Sequence, residues 1–108
     1  MIKILILGAT GFIGTNLLNF YKNKKGYKVY ATYRNTKSKI NKIKWLKADL
    51  RNPKIVDKII EGKDIVIQAA ATTSGAKDII NTPQLHVTDN AIMNSYIFRS
   101  CYMVYGFI

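Results

Sequence analysis

A single cysteine, Cys101, rules out an internal disulfide. Nothing in the sequence therefore calls for an oxidising compartment, and a reduced, cytoplasmic location is expected. A single histidine, His86, with no Cys, Asp or Glu at ligand spacing, gives no basis for a metal site. Long apolar runs are missing as well. The stretch Ile4–Leu7 offers only about four apolar residues before Gly8, short of a signal-peptide core. No later segment approaches the roughly 20 apolar residues that span a bilayer, so a soluble chain without a membrane partner is expected.

Acidic residues are also few, six against seventeen Lys and Arg, for a formal net charge of +11. The excess is densest where Arg34, Lys37, Lys39, Lys42, Lys44 and Lys47 follow one another with no acidic residue between them. Such a run is either a solvated face or the contact for an anion. Aromatics other than Trp45 are not interleaved with it and no reader motif is present, which argues against nucleic acid.

What is abundant is apolar: 48% of the 108 residues, enough for one small domain that buries about 60 to 70% of its unfolded surface. Ile2 to Leu7 is an Ile- and Leu-rich run closed by Gly8, the pattern of a strand buried on both faces. From Phe12 to Lys24 the apolar residues recur every three to four positions, predicting a helix stopped by Gly26. Tyr27 to Tyr33 is rich in residues favoured on a pleated surface, and Ile43 to Ala48 is a weaker third strand. Asn52-Pro53 supplies an N-cap followed by proline at the first helical position, ahead of Ile55, Val56, Ile59 and Ile60.

Asp64 to Gln68 predicts a fourth strand, Ala69 to Gly75 a loop of small residues, and a last helix begins between Pro83 and Asn90. Strands alternating with crossovers imply an α/β, Rossmann-like, doubly wound parallel sheet in the order 3-2-1-4. The fourth strand would then lack its next neighbour, and an apolar edge of that kind promotes self-association.

The chemistry is concentrated in Gly8-Ala9-Thr10-Gly11-Phe12-Ile13-Gly14, which lies between the first strand and the first helix. Glycines at positions 0, 3 and 6 there serve a tight turn, the close approach of a diphosphate and the packing of helix on sheet. The helix N-terminus adds free N–H groups and partial positive charge. At the end of the second strand, where an NAD site usually carries Asp or Glu, the sequence has Tyr33-Arg34-Asn35-Thr36-Lys37. A carboxylate there would repel a 2′-phosphate, whereas Arg34 can grip one bidentately and Lys37 can add charge. NADP(H) is therefore expected in preference to NAD(H).

Gly-x-x-Gly-Phe-Ile-Gly resembles the fingerprint of the extended short-chain dehydrogenases/reductases, the NAD-dependent epimerases, dehydratases and reductases that modify nucleotide sugars. The resemblance implies that Gly8, Thr10, Gly11, Phe12, Ile13 and Gly14 form the cofactor turn. It implies that Asp49 receives the adenine amino group, that Leu50 lines the adenine pocket, and that Ala69, Ala70 and Ala71 lie under the dinucleotide. Gln68 stands where the family often has His. Asn90 is similar to an asparagine that opens a family helix, where a capping role is expected.

The resemblance runs from Met1 to about Cys101 and reaches no catalytic residues. The Tyr-x-x-x-Lys pair is missing, since Tyr102 is followed four residues later by Gly106. Residues 1–108 are thus expected to be an NAD(P)-binding domain truncated before the later strands, with the nucleotide-sugar site and hydride-transfer chemistry in the remainder of a full-length enzyme. The alternative is a non-catalytic dinucleotide-sensing or interaction protein on the same fold. An in-frame Tyr-x-x-x-Lys beyond Ile108 would discriminate them.

Overall fold

The computed structural model describes residues 1–70 and 83–105. Its strands are β1 (Ile2–Leu7), β2 (Tyr27–Tyr33), β3 (Lys44–Lys47) and β4 (Ile65–Gln68). Its helices are α1 (Phe12–Tyr21), α2 (Pro53–Ile60) and α3 (Pro83–Tyr105). The strands are all parallel and lie in the order β3-β2-β1-β4, the order of the first half of a doubly wound sheet with its next strand.

β1 is central because it is the strand buried on both faces: Ile4, Leu5, Ile6 and Leu7 are all fully buried. Strand alternation sends Leu5 and Leu7 to one face, where they join Val56, Ile59 and Ile60 of α2 and Met93 and Ile97 of α3. Ile4 and Ile6 point to the other, against Leu18 of α1 and Val29 and Ala31 of β2. One six-residue run thus nucleates both halves of the core. α2 and α3 are further joined by the Ser100 hydroxyl, which is hydrogen-bonded to the Asp57 carboxylate.

Helix boundaries follow local chemistry where a cap is present. The Asn52 side chain accepts from the backbone N–H groups of Lys54 and Ile55 at 3.1 and 3.4 Å, and Pro53 follows as the first helical residue. α1, by contrast, ends at Tyr21, three residues before the expected Lys24. The reason lies outside the helix. The Gly26 carbonyl accepts from Ile2 N at 2.7 Å, and Tyr27 must pair with Ile2, so the chain has to turn before β2 begins.

β3 is shorter than the expected Ile43 to Ala48, although Ala48 N still donates to Tyr33 O at 2.9 Å. α3 begins at Pro83, which places Asn90 two turns inside the helix and corrects the capping role expected for it. Among the described residues no helix is long and apolar enough to cross a membrane.

Candidate functional site

A cleft of about 580 Å³ opens at the carboxyl ends of the strands, over the turn from β1 to α1. The turn is built by three glycines, each for a different reason. Gly8 has φ +71, and a Cβ there would lie 2.3 Å from Ala70 Cα, so both the backbone conformation and the neighbour demand glycine. Gly14 is buried, and its Cβ would lie 2.6 Å from Ala9 Cα and 2.7 Å from the Gly8 carbonyl oxygen; this glycine lets α1 sit on the turn.

Gly11 differs from both. Its backbone is extended, with φ −81 and ψ −178, and the nearest atom to an added Cβ is 4.0 Å away. The protein itself does not require glycine at this position; the space it leaves faces the cleft.

Thr32, at the end of β2, holds the turn in place. Its Oγ1 accepts from Gly8 N at 2.9 Å and its carbonyl from Ala9 N at 3.1 Å. Gly11 is the N-cap of α1 and brings no side-chain hydrogen bond, and the first turn of the helix has no acidic residue. Uncapped N–H groups and the positive end of the helix therefore border the cleft, an arrangement that favours an anion.

The residues that follow β2 and β3 come together on one side of the cleft. Arg34, Asp49 and Leu50 line the cleft, with Leu50 almost fully buried. Thr10, Phe12, Ile13, Ala69 and Ala70 line it too. Gly14 supports the turn from behind, and Lys37 is exposed outside the cleft. Ala71 and the side chain of His86 lie outside the described residues. Among the described residues no group of three His, Cys, Asp or Glu could hold a metal. Burial pushes the Cys101 thiol pKa up, away from the reactive thiolate.

Arg51 was not expected in the site. Its backbone N–H and Nε donate to Asp49 Oδ1, both at 3.0 Å, and Nη2 reaches Oδ2 at 2.9 Å. The Arg51 guanidinium, with Arg34 adding positive charge, holds the Asp49 carboxyl at about 2 against an ordinary 3.8. Three of a carboxylate's roughly four acceptor sites are thus occupied, which leaves room for about one further donor. The spacing itself was a signal: Asp followed two residues later by a backbone donor is an Asx turn. Thr32 and Met93, which also line this cleft, and the hydrogen-bonded amide pair Gln68–Asn94, next in sequence to the lining residues Ala69 and Met93, carry no comparable local signature.

A folded-state pKa below the unfolded one contributes stability above the unfolded value and loses it as pH falls. The stability advantage of wild type over Asp49→Asn is expected to be constant above about pH 5 and to shrink between about pH 4 and 2. Urea unfolding across that range measures it. A difference independent of pH would show that ionisation of Asp49 is not what Arg51 stabilises.

The sequence matches the NAD dependent epimerase/dehydratase family over residues 4–105. A comparison with curated proteins gives no match. Among solved structures, the chain is similar to the UDP-Glc/GlcNAc 4-epimerase of Campylobacter jejuni, with TM-score 0.80 and 22% identity over 96% of this chain and 34% of that one. It is similar to the Bordetella bronchiseptica enzyme WbmH in complex with NAD+, with TM-score 0.73 and 19% identity over 95% of this chain and 36% of that one. It is also similar to a Thermotoga maritima UDP-glucose 4-epimerase with UDP-glucose, with TM-score 0.77 and 18% identity over 96% and 35%. The chain spans about a third of the length of these structures.

Proposed function

Because the chain belongs to the NAD dependent epimerase/dehydratase family, we propose that its cleft is the nicotinamide dinucleotide site of an enzyme that modifies a nucleotide-linked sugar. The observation that carries this reading is Gly11. It is the one glycine of the three that neither backbone conformation nor protein neighbours require, and it lines the cleft at the uncapped start of α1.

In this reading the diphosphate is held by the turn Gly8, Thr10 and Gly11 and by the first N–H groups of α1, beside Phe12 and Ile13, while Gly14 lets that helix approach. Ionised Asp49 keeps one acceptor site for the adenine amino group, and Leu50 supplies an apolar surface. Ala69 and Ala70 leave space beneath the other half. The bound cofactor would supply a hydride acceptor and donor. Residues 1–108 form the cofactor-binding domain, and the acid–base and sugar-binding groups belong to the remainder of a longer enzyme of the cytoplasm. The neighbours named for UDP-sugars support the substrate class.

NADP(H) is preferred because Arg34 lies on the cleft wall and no carboxylate follows β2 to oppose a 2′-phosphate. Lys37 contributes a more distant positive charge. At low, fixed salt, Arg34→Ala is expected to lose about 1.5 to 3 kcal/mol of NADPH affinity, the scale of a hydrogen bond to a charged group, with little change for NADH. Isothermal titration calorimetry reads both. Equal affinities in wild type, or equal losses in the variant, would mean that Arg34 does not recognise the phosphate.

β4 pairs with β1 alone among the described residues, and Ile65, Val66 and Ile67 are only partly covered. The isolated chain is expected to self-associate along this edge. A monomer at all concentrations in analytical ultracentrifugation would exclude it.

A further inference from the structure

One wall of the cleft is set by an amide pair 26 residues apart in sequence. Gln68, the last residue of β4, accepts from Ala70 N through Oε1 at 2.9 Å. Its Nε2 donates to Asn94 Oδ1 on α3 at 3.0 Å. The orientation is fixed by chemistry, because a backbone N–H can only donate. Gln68 must therefore present its oxygen to Ala70 and its nitrogen to Asn94. The pair adds a polar link between two parts of the cleft that also share one apolar cluster: Ala70, whose backbone lies against Gly8, and Met93, the buried neighbour of Asn94 that also lines the cleft.

The position of this bridge along the cleft assigns its task. In the sheet order β3-β2-β1-β4, the turn after β1 lies between two walls. Arg34, Asp49 and Arg51 follow β2 and β3 on one side, while Ala69, Ala70 and Met93 adjoin β4 on the other. If the diphosphate lies over Gly11 and the adenosine at Asp49, the wall along β4 receives the opposite half of the dinucleotide.

We propose that Gln68 and Asn94 are positioning residues for the nicotinamide half, the Gln68 amide holding Ala69–Ala70 and α3 at the spacing that this half requires. The inference rests on the dinucleotide reading above and adds a pair of residues that need not touch the ligand. A wall that rests on two side-chain hydrogen bonds of ordinary length loosens when either is removed, and the ligand must then order it on binding.

The test compares NADPH and NADH with ADP, which contains the adenosine and diphosphate but no nicotinamide half, by calorimetry on the 108-residue chain. Gln68→Leu and Asn94→Leu are each expected to weaken the preferred dinucleotide about tenfold, the scale of one or two lost hydrogen bonds. ADP affinity should stay within about twofold, and the double variant should lose less than the sum of the two single losses, since both act through one bridge. Asn94→Asp keeps an acceptor for Gln68 Nε2 and is expected to retain dinucleotide affinity. If Gln68→Leu does not fold, Asn94→Leu, which leaves Ala70 N bonded to Gln68, carries the comparison.

Equal losses for ADP and dinucleotide, or unchanged affinity for both, would overturn the positioning role while leaving the dinucleotide site intact. Wild-type protein that binds none of the three ligands would overturn the site and the role together.

Discussion

Gly8→Val is expected to cost the fold a large part of its stability. At φ +71 a residue with a Cβ costs about 1 to 2 kcal/mol, and a β-branched one sits at the unfavourable end. The second cost is steric. The added Cβ would lie 2.3 Å from Ala70 Cα and 2.6 Å from Ala70 N, backbone atoms with little freedom, since Ala70 N is bonded to Gln68 and Ala69 N donates to Leu7 O at 2.9 Å. Overpacking of this kind adds about 1 to 3 kcal/mol or more.

A total of about 2 to 5 kcal/mol or more is a large part of the 5 to 15 that holds an ordinary domain. Gly26→Ala is the internal control: its φ is +86 and nothing lies within 4 Å of an added Cβ, so only the backbone cost of about 1 to 2 kcal/mol applies. Chemical denaturation followed by circular dichroism compares Gly8→Ala, Gly8→Val and Gly26→Ala. Gly8→Ala that unfolds at the denaturant concentration of Gly26→Ala would show that the approach of β4 to the turn relaxes without cost.

Gly11→Val is expected to do the reverse, keeping the fold and losing the ligand. Its φ and ψ suit any residue, and no atom lies closer than 4.0 Å to the new Cβ. The cost to stability is about 1 kcal/mol or less, the difference between glycine and valine as an N-cap. The isopropyl group would occupy the one open position at the helix start, where a diphosphate has to approach the backbone. Since each 1.4 kcal/mol is a factor of ten, loss of about two hydrogen bonds to an anionic oxygen amounts to at least about a hundredfold in affinity. Calorimetry with NADPH and NADH on the folded variant measures it. Unchanged affinity would remove Gly11 from the site and with it the main support for the dinucleotide reading.

These two variants also mark the limit of what glycine spacing could tell. Gly8, Gly11 and Gly14 were all legible as one motif, and three physical reasons for them could be stated from the sequence. Which variant damages folding and which damages binding depends on Ala70, a residue that only folding brings against the turn. The wall that follows β2 and β3 behaved similarly. Asp49 stood out, yet its bidentate partner Arg51 did not, although only Leu50 separates the two.

The sequence by itself determined the order and type of the elements. A doubly buried run makes β1 central, Asn52-Pro53 starts α2, the glycine spacing marks the turn from β1 to α1, and the alternation of strands with crossovers gives a doubly wound parallel sheet in the order 3-2-1-4. All of these depend on local preference, short periodicity and chain chirality, which are written in neighbouring residues. The tertiary structure decided the rest: that α1 stops at Tyr21 so that Gly26 can meet Ile2, that Thr32 holds Gly8, and that Gln68 joins Ala70 to Asn94. Each depends on distances between segments far apart in the chain, and those distances exist only after the sheet and its helices have packed.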